Sequence, residues 1–89
     1  MKLAPEVLER YVGVYEMSPV RTMTVTRKGE RLYVQPMEQP ELELFAESEG
    51  KFFLKAVDVQ IDFQTDAAGK VTGLIMHQGG RVISAPKVK

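Results

Sequence analysis

Apolar and polar residues alternate one by one along most of this chain, the period expected of strands that turn one face inward. The alternation is plainest around residues 58–64, where Val59, Ile61 and Phe63 face one way and Asp58, Gln60, Asp62 and Gln64 the other. Residues 20–27 set Met23 and Val25 against Val20, Thr22, Thr24 and Thr26. Residues 42–48 set Leu42, Leu44 and Ala46 against Glu43 and Phe45. The β-forming runs YVGVYEM (11–17), RLYVQP (31–36), KFFLKA (51–56), 70–77 and 81–85 predict the remaining strands. Turn residues separate them: Ser18-Pro19, Lys28-Gly29-Glu30, a loop bracketed by Pro36 and Pro40, Glu49-Gly50, Asp66 to Gly69, and Gln78-Gly79-Gly80. A helical period shows only at the start. Val7, Leu8 and Tyr11 form one stripe, and Pro5 suits a first turn, so a short helix is expected over residues 5–10.

About eight short strands with short links allow no parallel crossover, because no connection is long enough to hold a helix. The expected architecture is all-β, an antiparallel up-and-down meander. An eight-stranded sheet with one apolar face removes its edges by closing into a barrel, and a gap covered by the helix is the near variant. The expected inner set is Val12, Val14, Met23, Val25, Leu32, Val34, Leu42, Leu44, Phe52, Leu54, Ile61 and Phe63.

The opposite phase is not purely polar. It holds Tyr15, Tyr33, Phe45 and Phe53, and strand 70–77 is apolar on both phases, with Val71 and Ile75 against Leu74 and Met76. Three explanations are open: a covering helix with scattered surface aromatics, a partner or self-association interface, or the lining of a ligand cavity. The interface candidates are Tyr15, Tyr33, Phe45 and Phe53. The cavity candidates are Met23, Phe52, Phe63 and Met76, with His77 at the rim.

Composition narrows the chemistry. Eighty-nine residues fit one domain spanning the chain. Such a chain buries roughly 60–65% of its unfolded surface. With no cysteine and one histidine, neither a thiolate metal site nor a histidine pair exists, and no metal or cofactor is expected. Twelve basic residues balance twelve acidic ones, which argues against a phosphate-tracking surface. Arg21, Arg27, Lys28 and Arg31 are expected around the Lys28-Gly29-Glu30 hairpin beside Tyr33, but Glu30 and the other acids offset them, so no nucleic-acid partner is expected. No apolar run reaches the length of a membrane span, and MKLAPEVLER lacks the apolar core of an export signal, which leaves the compartment open.

Two S-x-x-K strings, Ser48 to Lys51 and Ser84 to Lys87, match the spacing that sets a lysine one helical turn after a serine nucleophile. Gly50 places the first on a hairpin and Pro86 breaks the second, so neither is expected to act. Glu41 with Glu43, and Asp58 with Asp62, read as solvated outer pairs. The Gly79-Gly80 pair is followed by no helix and is not a phosphate loop.

The segment LERYVGVYEM resembles the L-x-x-Y-x-G-x-Y opening of a small bacterial C-terminal module of unknown function. That module is appended to serine hydrolases of the β-lactamase and penicillin-binding-protein class, and to other peptidases. The likeness continues through TVTRKGERLYVQP and is most specific in F-x-x-D-x-x-G-K-V-x-G-L, from Phe63 to Leu74. It covers about residues 8–85. It implies a lipocalin-like barrel without catalytic residues, the Ser-Lys machinery lying in a separate hydrolase domain, and it brings no binding residues with it. The expected function is therefore a non-catalytic accessory domain that mediates packing, self-association or substrate access, with a hydrolase domain or a second copy as partner. The alternative is a stand-alone barrel that binds a small apolar ligand.

Overall fold

The computed structural model describes residues 3–55 and 57–89. Eight strands follow one another in sequence and in space: β1 Gly13–Ser18, β2 Arg21–Lys28, β3 Arg31–Pro36, β4 Leu42–Ser48, β5 Lys51–Leu54, β6 Val59–Thr65, β7 Val71–Gln78 and β8 Arg81–Pro86. Every neighbouring pair is antiparallel. The expected meander is the observed one. Residue 56, expected at the end of the fifth strand, lies outside the described residues.

The sheet curls until its last residues meet its first. Tyr15 pairs with Lys87, the Val88 amide donates to the Val14 carbonyl at 2.8 Å, and the Val14 amide donates to the Lys89 carbonyl at 3.2 Å. These bonds occupy backbone groups that would otherwise form two open edges. The result is a nearly closed up-and-down barrel.

The N-terminal helix is shorter than expected. α1 spans Pro5–Leu8, and a 3₁₀ turn, Glu9–Tyr11, follows. Pro5 opens the helix, where its missing N–H costs nothing. Tyr11 thus belongs to the helical segment, not to the first strand, and it is buried. It stacks on Phe63 at 4.4 Å between centroids, and Phe52 meets both rings edge-on at 5.5 Å. Tyr15 completes the cluster at 5.7 Å from Phe63. Each such pair contributes about 0.5–1.5 kcal/mol beyond its burial. Leu8, Leu32 and Leu44 pack in the same core, so the helical segment and this cluster plug one end of the barrel.

The inner set is as expected from Met23 onward, with Leu42 only half-buried. The first strand is corrected. Register pairs Tyr15 with Met23 and Gly13 with Val25, which turns Tyr15 inward and leaves Val12 and Val14 half-buried. The segment is apolar on both phases, so alternation could not choose between them. Strand β7 is corrected too. Gln64 pairs with Gly73 and Thr65 with Val71, so Thr72 is an extra residue, and this bulge puts Val71 inside while Ile75 stays on the outer face.

Candidate functional site

The two ends of the barrel differ. The β1–β2, β3–β4, β5–β6 and β7–β8 connections lie at the end away from the aromatic plug, and there the interior opens into a cavity of about 280 Å³. Its wall is built from inward positions near the strand ends: Met17, Met23, Leu54, Ile61, Met76 and Ile83. Met37 adds a fourth thioether from the β3–β4 connection. Unbranched, polarizable side chains of this kind adapt to irregular occupants. The loop tips around the opening expose further apolar surface, with Val20 at 77%, Met37 at 45% and Val57 at 46%.

Arg21 and Arg81 also contribute to this wall. Arg21 continues the inward phase of Met23 and Val25 on β2, and Arg81 that of Ile83 and Ala85 on β8. Their register partners are Ser18 and Gln78. Both remain exposed, and neither forms an ion pair among the described residues. Among the described residues, no carboxylate lines the cavity. Gln39 and Gln78 supply its neutral polar groups.

The sequence candidates separate in space. Met23 and Met76 face the cavity. Phe52 and Phe63 belong to the aromatic plug at the other end, where both rings contact Tyr11. His77 stands on the outer face, where Nε2 lies 3.2 Å from Asp62 Oδ2. Pattern reasoning passed over Met17, Met37, Arg81 and Ile83. The available signal was position: each lies at or beside a connection at the same barrel end.

Of the four aromatic interface candidates, Tyr15 is fully buried and is withdrawn from the surface. Its hydroxyl explains how a phenol fits there, donating to the Tyr11 carbonyl at 2.8 Å. Tyr33, Phe45 and Phe53 are half-buried on the outer face. Phe45 and Phe53 are register partners with centroids 5.9 Å apart, and the ladder carries the row onward through Gln60 and His77 to exposed Val82. Lys55 covers the Phe45 ring at 4.1 Å, and Lys28 stands 5.0 Å from the Tyr33 centroid. Such cation–ring contacts shield part of the band from water.

The charges around the Lys28-Gly29-Glu30 hairpin are neutralised locally. Lys28 Nζ meets Glu41 at 2.7 Å, and that hydrogen bond raises the lysine pKa above its ordinary value. Arg31 lies 3.8 Å from Glu43, and Arg27 reaches Glu9 at 3.6 Å. Arg21 is not part of this group; β2 carries it to the opposite end of the barrel. Ser48 and Lys51 are register partners across the β4–β5 hairpin, and Ser84 lies within β8.

Residues 2–87 match the family described as a domain of unknown function, DUF3471. The chain belongs to this family. It is also 35% identical over 83 residues to penicillin-binding protein 4* of Bacillus subtilis (strain 168), a match covering 93% of this chain and 18% of that protein. The chain thus corresponds to a small part of its larger relative.

The motif residues of this DUF3471 chain have structural work to do. In L-x-x-Y-x-G-x-Y, Leu8 and Tyr11 seal the plug, and Tyr15 bonds back to Tyr11. Gly13 leaves room for the closing tail, since a Cβ there would run into the Lys89 carbonyl. In the second motif, Phe63 stacks on Tyr11, while Asp66 Oδ1 accepts from the Ala68 and Lys70 amides at 2.9 Å and fixes the β6–β7 turn. Val71 and Leu74 are core residues. The motifs write the barrel's closure and lie apart from the cavity wall.

Proposed function

We propose that this DUF3471 domain is a non-catalytic accessory domain that packs against a hydrolase domain through the outer band of Phe45, Phe53, His77 and Val82. The observation that supports this reading most directly is the match of nearly the whole chain to 18% of a penicillin-binding protein, which leaves most of that relative as the natural neighbour of this barrel. The band suits a docking role because it is continuous across β4 to β8, partly apolar and partly covered by the Lys55 side chain. The test mixes the purified chain with the Bacillus subtilis relative produced without its matching region. Saturable association is expected, weakened about tenfold by Phe45→Ser with Phe53→Ser, as for removal of an aromatic anchor. Absence of association, or indifference to both substitutions, overturns the proposal.

A second reading rests on the open end. A cavity of about 280 Å³ lined by thioethers and aliphatic side chains suits a small apolar ligand. It makes no demand on the outer band, so one barrel has room for both roles.

A further inference from the structure

We infer that the open-end cavity takes a single-chain amphiphile with an anionic head, its alkyl body held among the methionines and its head held by Arg21 and Arg81. This inference rests on the cavity reading and names its ligand class.

Three observations meet at this site. First, the volume of about 280 Å³ has room for about nine groups of ~30 Å³ each, the size of an alkyl chain of about ten carbons. Second, the wall is apolar and adaptable in depth, where Met23, Ile61 and Met76 lie, and polar only at the mouth. The gradient runs in the direction an amphiphile needs. Third, the charged side chains that line the wall have one sign. Arg21 and Arg81 occupy inward strand positions without an ion partner among the described residues, and no carboxylate lines the wall beside them.

Arg27 provides an internal comparison. It sits on the same inward phase of β2 at the plugged end, and there the fold supplies partners: the Gly29 carbonyl at 2.8 Å and Glu9 at 3.6 Å. The open end supplies Arg21 and Arg81 with none among the described residues. A guanidinium offers a planar fork suited to a carboxylate or phosphate-type oxygen pair, and such charge-assisted bonds are about twice as strong as neutral ones.

The experiment titrates the intact chain with decanoate, dissolved below its micelle concentration, and in parallel with decan-1-ol, which keeps the alkyl body and removes the charge. Binding is followed by calorimetry and by amide chemical shifts. One-to-one binding of decanoate is expected, with shifts centred on the β1–β2 and β7–β8 connections. Decan-1-ol is expected to bind about tenfold more weakly, the loss of one charge-assisted interaction. Arg21→Gln with Arg81→Gln should remove that tenfold preference and leave the alcohol's affinity unchanged; both positions are exposed, and unaltered circular dichroism establishes that the variant is folded. Equal affinity for the two probes, or a double variant that keeps the preference, overturns the arginine assignment while leaving the apolar cavity intact. Failure of both probes to bind up to about 1 mM overturns the cavity reading as well. Decanoate added as dissolved monomer or delivered in phosphatidylcholine vesicles forms the last arm. Equal final occupancy from either source indicates capture of the free monomer, whereas binding seen only with vesicles overturns a free-ligand site.

Discussion

The Tyr15 hydroxyl donates to the Tyr11 carbonyl across 2.8 Å, within a core that excludes water from both residues. The bond ties the last turn of the helical segment to the first strand, on either side of the Phe63 ring. Tyr15→Phe keeps the ring and removes the donor, leaving a buried carbonyl without this partner. The expected loss is about 1–3 kcal/mol of stability. Urea unfolding should show a lower midpoint with an unchanged slope, since the surface exposed on unfolding does not change.

The same two tyrosines give the barrel an alkaline limit. Burial pushes the Tyr15 phenol well above its ordinary range, and burial, with Glu49 adding repulsion, raises Tyr11 as well. The folded state therefore holds these protons more tightly than the unfolded chain. Below the ordinary phenolic pKa near 10 both states are protonated and the stability is fully present. Above it, the unfolded chain releases protons first, and stability falls as pH rises toward the folded values. Each such group contributes a slope of about 1.4 kcal/mol per pH unit in that window. Urea midpoints should be insensitive to these groups up to about pH 10 and decline beyond it. Tyr15→Phe should reduce the slope of the decline, and phenolate absorbance from the core tyrosines should appear together with unfolding.

How far the sequence carried the fold is clearest where one phase is polar. Val59, Ile61 and Phe63 alternate with Gln60, Asp62 and Gln64, and all three apolar residues are buried. Reading failed where both phases were apolar, because burial alone then leaves two solutions. Tyr15 was settled by a hydrogen bond to a residue four positions earlier, and Val71 by a bulge at Thr72 that local pattern does not encode. The open-end cavity was partly visible through Met23 and Met76. Its cations were not. Arg21 lies eight residues from Gly29 in sequence, and only the length of an eight-residue strand separates it from the hairpin charges and sets it at the mouth with Arg81.

Gly73 faces Pro86 across the β7–β8 ladder. A Cβ added there would sit 2.9 Å from the Ala85 carbonyl oxygen and 3.0 Å from the Pro86 Cα. Both are backbone atoms of a paired strand, so neither relieves the contact by a side-chain rotation. Gly73→Ala must instead push the β7–β8 ladder apart, at an expected cost of about 1–3 kcal/mol. Thermal unfolding should report the loss. Amide exchange should accelerate in β8, whose pairing to β7 runs from Gly73–Pro86 to Gln78–Arg81.

Phe63 and His77 looked alike in the sequence, both as candidate ligand contacts on the strands that the β6–β7 turn joins, and the fold assigns them opposite characters. Phe63 touches Tyr11, Tyr15 and Phe52, so Phe63→Ala opens a hole in the plug that three neighbouring rings cannot all collapse to fill. The expected loss is about 3–5 kcal/mol, a large share of the stability of a domain this size. His77 instead stands on the outer face with 42% of its side chain exposed, and its contact with Asp62 is open to solvent. His77→Ala should change stability by no more than about 0.5 kcal/mol. It should also leave decanoate binding untouched, because the ring lies across the sheet from the cavity that Met76, its neighbour in sequence, helps to line. A strong effect of His77→Ala on binding would mean that the occupant reaches the outer face. Measuring both variants by urea unfolding, and the histidine variant by titration, therefore separates the residue that holds the barrel shut from one that belongs to its outer face.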